Sequence, residues 1–187
     1  MQPPRLSLAL LNIGYLDSIA AEEQSKSAYI EMLVENSIIR VQSIYDRVLI
    51  FINRILDLGI SNDSINHSLL VTNEHVKKFG LEGRLRAVNK ACNDYRLIRN
   101  TVIHHDRYTE EQLNQLTLIV SADQLSKEAG GKQFMDSESL SAITQAYLGA
   151  KKEELGKYLD DMESRIFELY DDVLPIYHHY KDKFRVK

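Results

Sequence analysis

Residues 22–58 and 139–173 each carry apolar side chains three and four places apart for more than thirty residues, with no proline inside. That spacing lines one face of a helix and not of a strand, whose side-chain repeat is two. In the first stretch the broad apolar face is Ile30, Val34, Ile38, Val41, Ile44, Tyr45, Val48, Phe51, Ile52 and Ile55. In the second it is Leu140, Ile143, Tyr147, Leu155, Leu159, Met162, Ile166, Leu169 and Tyr170. Helices this long must bury their stripes against other helices. No internal repeat, low-complexity tract or strand pattern longer than five residues competes. The expected fold is all-α, an up-and-down helical bundle of about five helices forming one domain over residues 1–187.

The other elements follow from local signals. With 8 Gly and 3 Pro, few turns are forced. Residues 1–4 read as an extended lead-in and 5–16 as one short helix. Gly59 is placed to cap the first long helix in the left-handed conformation. The Ser- and Asn-rich residues 61–71 read as a mobile connection with at most a short helical turn. A central helix is expected from Glu82 to near Asn100, then a turn at Asp106–Thr109. Thr109 with Gln112 forms a capping box that starts a helix running through Leu125 to about Gly130–Gly131. Pro175 is expected to kink or end the last long helix, leaving 176–184 for a final turn or two.

Composition excludes several classes. The single Cys92 rules out an internal disulfide framework and a Cys-based zinc site, and it suits a reducing cytoplasm. No apolar run approaches the roughly 20 residues of a membrane span, and no cleavable leader opens the chain, so a cytoplasmic location is expected. The net charge of −4 argues against a general nucleic-acid coat and leaves a local site as the way to bind RNA.

Residues 84–107 supply such a site. Arg84, Arg86, Lys90, Arg96, Arg99 and Arg107 against Asp94 and Asp106 give a local net of +4, so the remainder of the chain sums to −8. Within this stretch runs Arg99-Asn100-Thr101-Val102-Ile103-His104. A permanently charged fork beside a group titrating near neutral pH is equipment for a phosphodiester. On a continuous helix Arg99 falls inside the apolar stripe of Val88, Cys92 and Tyr95, where a guanidinium needs a partner, a cleft or a second subunit. His104 sits about 140° round that helix from Arg99. Convergence therefore needs a bend near the β-branched run 101–103 or a two-fold dimer.

Structural roles stand beside these. Arg99 could pair with Glu35, Asp46 or Asp161, His104 could be a cation at a helix C-terminus, and Asn100 could be a C-cap. Arg96 and Arg107 read as phosphate-tracking or solvated charges, and His105 as the second choice of acid or base. His105-Asp106 could belong to a metal phosphohydrolase only with His67 or His75 and Asp160 or Asp161 added. The adjacent histidines of Tyr177–Tyr180 cannot share a helical face, so that aromatic segment is read as packing, base stacking or cover for a dimer seam.

The run RNTVIH resembles the Arg-x(4–6)-His motif of the HEPN superfamily, in which a polar residue, often Asn, follows the Arg. The helix order around it is also similar. The resemblance implies a metal-independent endoribonuclease needing no cofactor, like toxins of toxin–antitoxin pairs and other defence RNases. It implies a two-fold homodimer bringing two motifs into one cleft, with an antitoxin or other regulatory protein as a further partner. It assigns catalysis to Arg99, Asn100 and His104, with Arg96, His105 and Arg107 contacting RNA. The alternative is an inactive HEPN-like module that binds RNA, a nucleotide or a protein.

Overall fold

The computed structural model describes residues 2–19, 23–95, 100, 110–132 and 134–185. Among the described residues are eight helices and no strand. They are α1 (Gln2–Leu10), α2 (Ile13–Ile19), α3 (Glu23–Ile55), α4 (His67–Thr72), α5 (Glu74–Lys78), α6 (Glu82–Asn93), α7 (Glu111–Glu128) and α8 (Ser137–Arg185). The all-α expectation holds, and the surplus over five helices consists of short ones. None is long and apolar enough to cross a membrane.

The chain divides into two compact units. The first comprises residues 40–96 and 158–187 with Met1, and the second residues 2–39 and 97–157. In the first, Val41, Tyr45, Val48, Leu49 and Ile52 of α3 are buried, as are Leu85, Val88, Ala91 and Cys92 of α6. Leu159, Met162, Ile166, Leu169 and Val173 of α8 are buried too. Each is the periodic face of its helix, and full burial of one Leu or Ile contributes about 1.5–3 kcal/mol. α3 ends in a Schellman pattern, with Leu58 N–H to Asn53 O at 3.0 Å and Asp57 N–H to Arg54 O at 3.3 Å. The left-handed residue of that motif is Asp57 (φ 49), not Gly59 as expected, although Gly59 is also left-handed. Asp is one of the few side chains that tolerate this conformation. The Asn53 amide then clasps Ile60, donating to its carbonyl at 2.7 Å and accepting from its N–H at 3.2 Å.

The 61–71 connection is shorter than expected, because Asn66 starts a helix within it, and Asn73 starts another just beyond it. Asn66 accepts from Leu69 N–H at 3.0 Å, and Asn73 accepts from His75 N–H at 2.9 Å. Burial of Leu70, Val71 and Val76 holds α4 and α5 in place. Pro175 does not end α8. It sits on the exposed side, as does Asp171, whose carbonyl loses its helical donor, so water can satisfy that group.

In the second unit the expected 5–16 helix is two helices. Asn12 parts them, accepting from Tyr15 N–H at 2.8 Å and donating to Ala9 O at 3.0 Å. Helix α1 begins at Gln2, with both prolines in its first turn, where an N–H is not needed. Leu116, Val120 and Leu140 form a cluster with Ile119 and Met135 against it. α7 stops where the glycine pair predicts. Gly130 is left-handed (φ 73), and a Cβ on Gly131 would lie 2.7 Å from Ser126 Oγ. Asp136 then caps α8, accepting from Ser139 N–H at 2.8 Å.

Candidate functional site

The basic stretch begins on α6, whose buried side turns Arg84, Arg86 and Lys90 outward. Arg84 is committed to structure. Its Nε donates to Asp172 Oδ2 at 2.7 Å and its NH1 to Glu168 Oε2 at 2.5 Å, tying α6 to α8. Its charge is therefore countered locally, and the surplus of +4 overstates what a phosphate would meet.

α6 stops at Asn93 rather than continuing to near Asn100. Asp94 N–H bonds back three residues to Ala91 O at 3.3 Å, and Asp94–Tyr95 form a turn. Extrapolating the helical stripe from Val88 and Cys92 to residue 99 therefore loses its basis, and the argument for Arg99 reverts to the motif. Tyr95 is half-buried with its ring centroid 4.6 Å from that of Tyr158. Cys92 Sγ lies 3.3 Å from Met162 Sδ. Burial, then Asp46 and Asp94, push the Cys92 thiol up to about 12, so it is not a nucleophile. Burial likewise raises Tyr158, with further contributions from Cys92, Asp94 and Tyr95.

Of the motif residues, Asn100 is helical and half-buried. Arg99, His104, Arg96, His105 and Arg107 lie outside the described residues. The expected capping box also changes. Thr109 lies outside the described residues, and the residue at the N-cap position of α7 is Glu110, extended at φ −140, ψ 138, with no side-chain cap. Its carboxylate is engaged elsewhere.

That engagement is a group the sequence reading missed. Lys151 on α8 has a side chain only 5% exposed, with its Nζ 2.8 Å from Glu110 Oε1 and 2.6 Å from Glu154 Oε2. Tyr147 donates its hydroxyl to Glu110 Oε2 at 2.7 Å. A buried ammonium between two carboxylates, with a hydroxyl on the same acid, has the partners that its burial requires. The network holds Glu110, six residues after His104 in the sequence, against α8. Its signal was present. Lys151 falls at helical spacing among Tyr147, Leu148, Leu155 and Tyr158, the same reasoning that singled out Arg99.

Elsewhere in the first unit, the Tyr45 hydroxyl and His67 Nδ1 share a hydrogen bond. Burial, then Arg86, hold His67 below its ordinary 6.5. Burial raises the Tyr45 hydroxyl, with Cys92 and Asp46 adding to the shift. The metal alternative gains nothing from this region. Asp161 pairs with Arg165 at 2.9 Å, and no three His, Cys, Asp or Glu side chains among the described residues gather into a group that could hold a metal.

The Cthe2314-like HEPN family matches this chain over residues 8–181 of its 187. The chain belongs to the HEPN superfamily. The HEPN match contains the whole of 84–107, with the Arg-Asn-x3-His run inside it. No curated protein sequence and no solved structure matches the chain.

Proposed function

We propose that this HEPN protein is a metal-independent endoribonuclease acting as a toxin or defence RNase. One observation carries the reading: Arg99, Asn100 and His104 stand at HEPN motif spacing inside the region that the family matches. In the proposed reaction the ribose 2′-oxygen attacks the adjacent phosphorus while a base takes the hydroxyl proton. The P–O5′ bond breaks, and an acid protonates the departing oxygen. The products are a 2′,3′-cyclic phosphate and a 5′-hydroxyl, with no redox change and no metal required. His104 serves as base or acid. Arg99 stabilises charge developing on the non-bridging oxygens, and Asn100 orients the guanidinium or the phosphate. Arg96, His105 and Arg107 contact the RNA backbone. The proposal includes a single domain, supported by a match that crosses both compact units, and a two-fold dimer that joins two motifs. A cytoplasmic setting and a regulatory antitoxin complete it.

The test incubates purified protein and His104→Ala with total RNA and tRNA in excess chelator, and the cut ends are read. Cleavage by the unmodified protein only, leaving cyclic phosphate, is expected. Intact RNA with both proteins overturns the nuclease assignment and leaves a binding module. Cutting that survives in the variant removes His104 from the site.

A further inference from the structure

A second basic stretch follows far from the motif in sequence. Residues 177–187 carry Lys181, Lys183, Arg185 and Lys187 against Asp182, four minus one, a local net of +3. With the +4 of residues 84–107 also set aside, the rest of the chain sums to −11. An acidic protein that gathers positive charge in two places receives polyanions there and repels them elsewhere.

Aromatic rings share the second place with the charge. Tyr177 is 42% exposed, with the His178 ring edge-on at 5.6 Å between centroids and Lys181 Nζ over its own ring at 5.9 Å. The half-buried Tyr180 meets His179 at 5.8 Å and Phe79 at 6.4 Å, both edge-on. Phe79 is the C-cap of α5, so this contact brings the exposed Lys78 to the end of α8. Lys77 is paired with Glu74 at 3.0 Å, whereas Lys78 and Lys181 make no ion pair with a described residue. Of the nearest acids on α8, Asp172 is held by Arg84 at 2.7 Å, and Asp171 stands about 120° round the helix from Tyr177.

Unpaired cations beside ordered, partly exposed rings are what holds a single strand without regard to sequence: phosphates meet the cations and bases stack on the rings. A duplex keeps its base faces inside, so it would use the charge and leave the rings idle. The place is also separate from the motif's own segment. Tyr95, where the described part of that segment ends, packs on Tyr158, and Tyr177 follows Tyr158 by nineteen residues of α8. At about 1.5 Å per residue this is about 28 Å, the reach of about eight stacked nucleotides.

We infer that the end of α8, with Lys78 and Phe79, is a second RNA-binding surface that takes an unpaired strand beyond the scissile bond. One base stacks on Tyr177, and phosphates meet Lys78 and Lys181. The surface rests on the RNA substrate proposed above, and it requires that substrate to carry a single-stranded extension.

The test measures binding of a single-stranded 2′-O-methyl oligonucleotide to the full chain by fluorescence anisotropy across a salt series. That strand lacks the 2′-hydroxyl and cannot be cut by the proposed reaction, so binding and cleavage are read apart. Tyr177→Ala is expected to weaken binding about ten-fold, and Tyr177→Phe, which keeps the ring, to change it far less. Lys78→Ala and Lys181→Ala should each reduce the slope of log affinity against log salt by about 0.7. Circular dichroism checks that each variant is folded. No binding by the unmodified protein, or equal binding by a folded Tyr177→Ala variant, overturns the proposal. A duplex or polyglutamate that binds as tightly as the single strand overturns the stacking role and leaves a general polyanion surface. Tyr177-dependent binding in a protein that cuts no RNA would remove the nuclease and keep this surface.

Discussion

Lys151 and Glu110 form an ion pair at 2.8 Å, with the lysine side chain almost wholly out of solvent and the glutamate at the start of α7. The pair joins two helices of the second unit and draws Glu110 away from the capping role its position invites. Removing the lysine strands two carboxylates, of which Glu110 is 27% and Glu154 48% exposed, so water partly compensates them. Lys151→Ala should cost about 3 kcal/mol, the lower end for a broken buried pair. Urea unfolding checks this. A double-mutant cycle with Glu110→Gln should show a coupling well above that of a surface pair, and a coupling near zero would refute the role given to the network.

His67 makes the first unit sensitive to mild acid. Its folded value lies below 6.5, so between that lowered value and 6.5 the unfolded chain binds more protons. This contribution is complete above 6.5 and is lost as pH falls toward the lowered value. Protonation would also add positive charge at the first position of α4, where it is disfavoured. Unfolding midpoints should fall between pH 7 and pH 5 in the unmodified protein. His67→Gln should flatten that slope, and an unchanged slope would exclude His67 as its source.

Asp123 tests the turn between α7 and α8 in the opposite region of pH. It pairs with Lys127 at 2.8 Å and accepts from Phe134 N–H at 2.8 Å. The Lys127 hydrogen bond leads the causes that hold its carboxyl below the usual 3.8. Its contribution is present above 3.8 and disappears as pH drops through the folded value. Asp123→Asn should lower the thermal midpoint at pH 7, and the difference should shrink in strong acid. A gap that persists undiminished there would mean the loss is steric.

Arg99 separates a catalytic guanidinium from a merely cationic side chain. If it stabilises the transition state, Arg99→Lys should lose about 10²–10³-fold in kcat, because an ammonium lacks the planar fork. RNA binding should change far less, with a salt dependence close to that of the unmodified protein. Parallel losses in binding and kcat would move Arg99 to the binding set. Full activity in Arg99→Lys would remove the geometric requirement.

The long elements were legible because periodicity is a property of the chain itself. Burial of Ile30, Ile38, Tyr45, Ile52, Leu155, Met162 and Leu169 follows directly from their spacing. Gly130 and Gly131 marked the end of α7 for an equally local reason, since a side chain at Gly131 has no room. The misses arose where one polar side chain chooses between alternatives that a pattern cannot rank. Asn12 splits a continuous pattern into two helices, Asn66 makes helix from expected loop, and Asp57 takes the left-handed place expected of Gly59. Pro175 is tolerated where it and Asp171 are both exposed, so that water can reach the carbonyl it leaves unpaired, which depends on tertiary exposure. At the candidate site, motif spacing and family were legible. Arg84 was counted as available charge although Glu168 and Asp172 hold it, for those acids are remote in sequence. Lys151 was missed although the helical wheel that singled out Arg99 would have found it.

The burial of Cys92 makes this protein its own opening sensor. Its thiol is the chain's one sulfhydryl, lies against Met162, and is held protonated by its surroundings. An alkylating reagent in mildly alkaline buffer should therefore modify the chain only during excursions that separate α6 from α8. At low reagent the labelling rate reports the equilibrium of that excursion, and at high reagent its rate constant, as amide hydrogen exchange does for a backbone site. The energetics of the helix leading into the Arg-Asn-x3-His run can thus be followed at a single atom, with no engineered label.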